Sequence, residues 1–286
     1  MTMTTMTTMR IEAYAKLNLT LEVFGIRSDG YHALRSLVVP ISLSDTLEIE
    51  DSVALSSDVG YPDDLCLKAA RTLRSVGAGT FMTPRSPGAA IRVTKRIPAG
   101  GGLGGGSADA AATLVALNEI WGLLLSRADL ADIGAQVGSD VPALVTGGPV
   151  VMEGRGEKVT SVTCPTLHFV LANPGVNVST KDVYALCEGR RPDAPSATAE
   201  MLAAVGSGDL ERVAALFVND LQAPASRLHP EISDAVVSLR TAGALGVSMS
   251  GSGSSVFGLV PDAATAERIA SEMNARGLRS WPVRTL

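Results

Sequence analysis

The sequence predicts an α+β fold in two domains, and three observations carry that prediction. Several runs between Arg10 and Glu50 alternate apolar and polar residues, the pattern of half-buried antiparallel strands. A strand, a glycine-dense loop and an Ala/Leu-rich helix follow one another from Ala90 to Trp121. The second half of the chain then reads strand, helix, loop-strand, helix, strand, the order of a split βαβ layer. A length of 286 residues holds one large or two moderate domains with ample core. The first is expected over residues 9–164 and the second over 165–286.

Composition narrows the class. Hydrophobic residues at 46% against 19% charged describe a folded protein, and aromatics at 4% leave the core to Val, Leu, Ile and Ala. A net charge of −5 argues against a broad nucleic-acid surface. Cys66, Cys164 and Cys187 are far apart and form no Cys-x-x-Cys pair, so neither a disulfide framework nor a zinc site is suggested. No apolar run is long enough to span a bilayer. Met1 to Thr8 is low in complexity, lacks the basic and apolar regions of a signal peptide, and reads as a disordered leader. A cytoplasmic protein without nucleic-acid or membrane partners is expected.

Taken in order, Arg10 to Gly25 reads as one strand. Period two places Lys16, Asn18 and Thr20 on one face and Leu17, Leu19 and Leu21 on the other. The polar face suits a solvated edge, or a lysine and an amide held rigidly toward a site. Ser28-Asp29-Gly30 is turn chemistry, followed directly by Tyr31 and His32. That pair could hold a planar ring, but on pattern alone His32 reads equally as a surface residue. Leu34–Val39 and Asp45–Glu50 are further strands, Asp63–Val76 is a helix with Pro62 as its start signal, and Gly77–Ala89 is a loop.

After the strand Ala90–Ile97 comes Pro98-Ala99-Gly100-Gly101-Gly102-Leu103-Gly104-Gly105-Gly106-Ser107-Ala108, leading into a helix over Ser107–Trp121 capped by Ser107 or Asp109. Glycines this dense bring no side chain to a core; they permit left-handed backbone and close approach of main-chain N–H groups to a ligand. With a helix N-terminus behind them they make a phosphate cradle. The Walker A alternative fails because Gly106 is followed by Ser107 with no lysine, and the dinucleotide alternative lacks the following strand with its acidic residue.

Ser126 caps a short helix reaching Val137, and Gly138-Ser139-Asp140-Val141-Pro142 opens another helix or turn. Asp140 reads as a helix cap or as a carboxylate placed to act as a general base. Gly147–Met152 and a hairpin turn over Glu153–Glu157 precede the apolar strand His168–Ala172. A helix over Lys181–Leu186 and an exposed connector over Gly189–Ala197 follow. Helices are expected at Ala199–Val205, Leu210–Val218, Ile232–Ala242 and Ala263–Arg276, and a last strand at Arg279–Arg284. A second loop, Ser250-Gly251-Ser252-Gly253, passes into a strand; it adds to the phosphate site or is a tight turn.

Five segments in register, Ala15-Lys16-Leu17-Asn18-Leu19, Asp29-Gly30-Tyr31-His32, Pro98 to Ala112, Gly138 to Pro142 and Ser250 to Gly253, resemble the GHMP kinase superfamily. Asp29-Gly30-Tyr31-His32 points within it to the branch that phosphorylates a diphosphocytidyl methylerythritol in non-mevalonate isoprenoid precursor synthesis. The resemblance implies an N-terminal ATP-binding domain of the ribosomal S5 domain 2-like type and a C-terminal split-βαβ, ferredoxin-like domain. It implies phosphoryl transfer from ATP, with Mg2+, to the tertiary C2 hydroxyl of that substrate, by a monomer or weak homodimer.

In that picture Asp140 is the base and Lys16 stands beside it as electrostatic partner. Pro98, Gly100, Gly101, Gly102, Leu103, Gly104, Gly105, Gly106, Ser107 and Ala108 hold the triphosphate. Asn18, Tyr31, His32, Thr180, Gly251, Ser252 and Gly253 match substrate-binding positions, and no magnesium ligand is identified. Ala108-Asp109 stands where many relatives have Ser-Asn. Facing the phosphates, Asp109 would weaken ATP binding; facing solvent, it would be a cap-region acid. The other readings are a GHMP kinase acting on mevalonate, homoserine or a sugar, and a silent nucleotide sensor, which should have lost Lys16 or Asp140.

Overall fold

The computed structural model describes residues 7–60, 63–79, 88–190 and 195–286. Residues 1–6 of the expected leader, the Pro62 start signal, residues 80–87 of the loop and residues 191–194 of the connector lie outside the described residues. The fold is α+β as expected. Its first strand, β1 (Thr8–Asn18), starts inside the expected leader, where Asp51 N donates to Thr7 O at 3.1 Å. The single strand predicted over Arg10–Gly25 breaks at Leu19, and β2 (Thr20–Ile26) continues it. Both faces are covered: Lys16, Asn18 and Thr20 are as buried as Leu17, Leu19 and Leu21, so the solvated-edge alternative is excluded.

The two strands expected at Leu34–Val39 and Asp45–Glu50 are one long strand, β3 (His32–Ser52), followed by a short β4 (Leu55–Ser57). Helix α1 (Leu65–Gly79) is capped by Asp64, whose Oδ1 accepts from Cys66 N at 2.8 Å and Leu67 N at 3.1 Å. β5 (Gly88–Thr94) leads through the glycine loop to α2 (Gly105–Ile120). That helix starts two residues before Ser107, so Ser107 and Asp109 lie in its first turns and neither caps it. α3 (Arg127–Val137) has the expected Ser126 cap, completed by Asp129 into a capping box. α4 (Val141–Thr146) follows Asp140, with Pro142 in its first turn.

β6 (Val150–Gly154) and β7 (Lys158–Ser161) form the expected hairpin, ahead of β8 (His168–Asn173). Then come α5 (Thr180–Ala185), α6 (Ala197–Ser207), α7 (Leu210–Ala215) and a two-residue β9 (Val218–Asn219). α8 (Gln222–Leu228), a helix for which no expectation was made, precedes α9 (Pro230–Thr241). β10 (Gly246–Met249), β11 (Val256–Val260), α10 (Ala263–Ala275) and β12 (Arg279–Arg284) close the described chain. No helix among the described residues is long and apolar enough to cross a membrane.

The chain divides into two compact units that interleave along the sequence, where the sequence reading drew a single boundary after residue 164. The first comprises Met1–Ala15, Leu43–Ile97 and Gly105–Gly147; the second Lys16–Ser42, Pro98–Gly104 and Gly148–Leu286. In the first, the distal part of β3 pairs antiparallel with β5, from Thr46 opposite Thr94 to Ser52 opposite Gly88, and β4 adds in parallel to β5. Helix α2 packs against α1, α3 and α4. Its Ala108, Ala110, Ala111, Ala112, Leu114, Ala116 and Leu117 are all buried, which explains the alanines: a helix covered on most sides needs small side chains for close approach.

In the second unit the start of β3 pairs with β6, from Leu34 opposite Gly154 to Val38 opposite Val150. A separate antiparallel sheet runs in the order β10-β11-β8-β12. With α9 and α10 as crossovers this is the predicted split-βαβ, ferredoxin-like layer. Its core joins Val170, Ala172, Ile232, Leu239, Met249, Val256, Ile269 and Met273, nearly all fully buried. Aliphatic packing of this kind contributes roughly 1.5–3 kcal/mol per large side chain buried.

Candidate active site

Within the second unit, the buried end of β1 organises one group of candidate residues. Period two sends Lys16 and Asn18 to the same side, and the Lys16 Nζ donates to Asn18 Oδ1 at 2.6 Å and to the Gly102 carbonyl at 2.8 Å. Asn18 Oδ1 also accepts from Gly251 N at 2.9 Å, while its Nδ2 donates to Ser36 Oγ at 2.8 Å. The main chain repeats the connection: Lys16 N donates to Leu103 O at 3.0 Å and Ser255 N to Gly101 O at 3.1 Å. Ser250 Oγ donates to Gly102 O at 3.0 Å. Three expected segments, those around Lys16, Gly102 and Gly251, are thus brought together.

Gly102 has φ +73°, and a Cβ there would sit 2.0 Å from the Ser250 carbonyl oxygen; only glycine allows the two loops to meet. Gly251 is under the same constraint, with φ +57° and 2.8 Å to Gly102 O. Asn219 holds the second loop from behind, donating to Met249 O at 2.7 Å and Gly251 O at 2.8 Å. Thr180 and Ser252 share a hydrogen bond of 2.8 Å between their hydroxyls.

Tyr31 and His32 leave one turn toward different partners. Tyr31 is half exposed, with the Arg155 guanidinium 5.2 Å from its ring centroid. His32 lies 5.1 Å from the ring of Tyr184, tilted by 36°. The turn itself is fastened: Asp29 accepts from Tyr31 N at 3.2 Å and from Arg27, which also reaches Glu157. The Tyr31 amide and the Arg27 guanidinium hold the Asp29 carboxyl below its ordinary range.

The first unit carries the remaining residues. Gly105, Gly106, Ser107 and Ala108 form the first turn of α2, whose leading N–H groups have no partner within the helix. The Ala108 side chain is buried, so only its main chain can serve a ligand. A Cβ on Gly105 would lie 3.0 Å from Ile97 Cγ2 and 3.6 Å from Lys95 Nζ. Asp140 occupies the N-cap position of α4, as one of its two readings expected, but its side chain makes no capping hydrogen bond there.

Beneath that first turn lies a charge cluster that sequence reasoning missed. Lys95 Nζ donates to Asp45 Oδ2 at 2.5 Å and to Asp109 Oδ2 at 2.6 Å. Asp45 also accepts from Arg96 N at 2.5 Å and Ile97 N at 2.9 Å, tying down the strand end that enters the loop. Asp109 faces neither solvent nor an open cradle: it is 2% exposed and paired with Lys95, so neither expected orientation holds. Burial, only partly offset by Lys95 and reinforced by Asp45, pushes its carboxyl up to about 7. Burial works against the Lys95 charge too, but Asp109 and Asp45 outweigh it and raise the ammonium above its usual value. Burial, then Asp109, pushes the nearby Cys66 thiol up to about 12. Tyr184 was also missed, its ring offering no motif until His32 is found against it.

The chain is similar to known proteins over nearly its whole length. The profile of the GHMP kinases N terminal domain matches residues 64–148, and that of the GHMP kinases C terminal region matches 201–278. The chain is 40% identical to the 4-diphosphocytidyl-2-C-methyl-D-erythritol kinase of Symbiobacterium thermophilum, over 97% of this chain and 100% of the relative. It is 42% identical to the protein of that name from Pelotomaculum thermopropionicum, over 91% of each. A crystal structure of 4-(cytidine 5'-diphospho)-2C-methyl-D-erythritol kinase superposes with a TM-score of 0.83 at 33% identity, covering 97% of this chain and 100% of that one. Homoserine kinase from Cytophaga hutchinsonii, at 21% identity and a TM-score of 0.73 over 98% of this chain and 94% of its own, shares the fold. The chain belongs to the GHMP kinase family.

Proposed function

We propose that this chain transfers the γ-phosphoryl group of ATP to the C2 hydroxyl of 4-diphosphocytidyl-2-C-methyl-D-erythritol, in the non-mevalonate route to isoprenoid precursors. The observation that carries the reading is the Lys16 ammonium fixed at once to Asn18 and to the Gly102 carbonyl, an alcohol-kinase motif strand bonded to a glycine loop. The full-length likeness to proteins of that name supports the substrate.

The triphosphate is assigned to the loop from Pro98 to Ala108. The fit rests on the glycine-rich main chain there and on the N–H groups that begin α2, which have no partner within the helix and make a ready anion site. Mg2+ is expected to arrive on the nucleotide, as it commonly does, held through phosphate oxygens and retained waters. Among the described residues no three His, Cys, Asp or Glu side chains cluster as a metal cage. When bound there, Mg2+ would supply charge neutralisation to the phosphates.

The chain's own residues then have these tasks. Asp140 accepts the hydroxyl proton as the oxygen bonds to phosphorus and the bond to the ADP oxygen breaks. Lys16 stabilises the charge that gathers on the oxygens, so positioning rather than base strength supplies most of the rate. His32, Tyr31 and Tyr184 hold the cytosine, and Asn18, Thr180 and the loop Gly251–Gly253 hold the rest of the substrate. The protein acts in the cytoplasm, as a monomer or weak homodimer.

ADP release with Mg-ATP, with and without the cytidyl substrate, tests the reading. Wild type is expected to release ADP only with substrate, and Asp140→Asn to lose turnover by about 100-fold or more while still binding ATP, as for loss of a general base. Turnover by Asp140→Asn at the wild-type rate removes Asp140 from the chemistry. ADP release with mevalonate or homoserine instead keeps the kinase and overturns the substrate.

A further inference from the structure

Lys95, Asp45 and Asp109 form a cluster with one cation and two carboxylates, and its place in the fold is specific. Asp45 anchors Arg96 N and Ile97 N, the residues entering the glycine loop; Asp109 stands in the second turn of α2, where the loop ends. The Lys95 ammonium lies directly under Gly105, the residue that opens the helix.

The two carboxylates are not equivalent. Asp45 receives three donors, from Lys95 Nζ, Arg96 N and Ile97 N. Asp109 receives Lys95 on Oδ2, while its buried Oδ1 has no hydrogen-bond partner. Leaving a buried carboxylate oxygen without a donor is costly. A carboxamide would avoid most of that cost, accepting from Lys95 with its oxygen and turning its nitrogen toward Asp45. When ionised, Asp109 supplies a second negative charge beside Lys95, close behind the start of α2.

We propose that Asp109 sets nucleotide affinity, its second carboxylate on Lys95 making the start of α2 less attractive to phosphate than a lone Lys95–Asp45 pair would. This rests on the glycine loop being the ATP site. The functional consequence is release: a weaker hold on phosphates speeds departure of ADP, a step that often limits turnover in enzymes of this kind. The groups that face the Asp109 carboxylate are Lys95 beyond β5, Asp45 on β3 and Cys66 on α1.

The test is calorimetric titration of the full chain with Mg-ATP at pH 8, above the value of about 7 to which burial raises the Asp109 carboxyl. Asp109→Asn is expected to tighten binding about fivefold at low salt, the size of one unit charge acting through a partly solvated path. The gain should shrink toward nothing at about 1 M salt, where the screening length is only about 3 Å. Asp109→Ser, which removes the charge with a smaller side chain, is expected to shift affinity in the same direction and answers if the first variant does not fold. A purely structural role would weaken binding instead. Unchanged or weaker binding in the folded variants overturns the proposal alone. Failure of wild type to bind Mg-ATP at all overturns the ATP-site reading and the proposal with it.

Discussion

Lys16 buries its ammonium against two oxygens, those of Asn18 and of Gly102, and a buried cation is tolerated only with such partners. The same economy holds Tyr31, whose backbone is fixed by Asp29 while its ring stays half exposed, available to a ligand. His32 is the residue whose role a single substitution isolates. His32→Ala is expected to raise the KM for the cytidyl substrate about tenfold or more, the loss of a ring contact and a hydrogen bond, with the KM for ATP nearly unchanged. Steady-state kinetics varying each substrate in turn measures this; equal changes in both would take His32 out of the base pocket.

Elements differ in how plainly the sequence announces them. α3 was legible because its cap is local chemistry: Ser126 and Asp129 each bond the other's backbone N–H. Ser126→Ala is expected to cost about 1 kcal/mol, seen as a fall in melting temperature of roughly 2–4 °C. β3 was legible only in pieces, since Pro40 and the polar run Ser44-Asp45-Thr46 interrupt the alternation that defines a strand, yet pairing on its flanks carries the chain through. α2 was placed but its cap was misjudged. Gly105 and Gly106 are poor helix formers, and tertiary packing against Ile97 and Leu65 draws them into the helix regardless. The site was legible where glycine and polar residues cluster in sequence. It was hidden where single residues from distant segments meet, as Asp45, Lys95 and Asp109 do, because no spacing rule relates them.

On the scale of the whole molecule, stability depends on pH through Asp109. Its folded-state carboxyl, at about 7, lies above the unfolded value of 3.8, so between those limits the folded chain binds more protons than the unfolded one. Stability is therefore greatest toward the lower limit and falls as pH rises through the folded value. Wild type is expected to lose a few °C of melting temperature relative to Asp109→Asn between about pH 5 and 7.5; parallel curves for the two proteins would contradict this. The interleaving of the two units escaped the sequence reading because hydrophobic periodicity reports which face of a segment is buried, not which neighbour buries it.

That interleaving also orders events at the ribosome. All pieces of the first unit have been synthesised once Gly147 is joined, whereas the second lacks a strand until Arg284 is. Until then β8, with Phe169 to Ala172 wholly apolar, keeps an unpaired edge where β12 belongs, from Arg279 opposite Asn173 to Arg284 opposite His168. Such an edge is a template for another chain's strand. A nascent chain stalled before residues 279–284 are added would thus carry an adhesive edge, a ready client for chaperones and proteases.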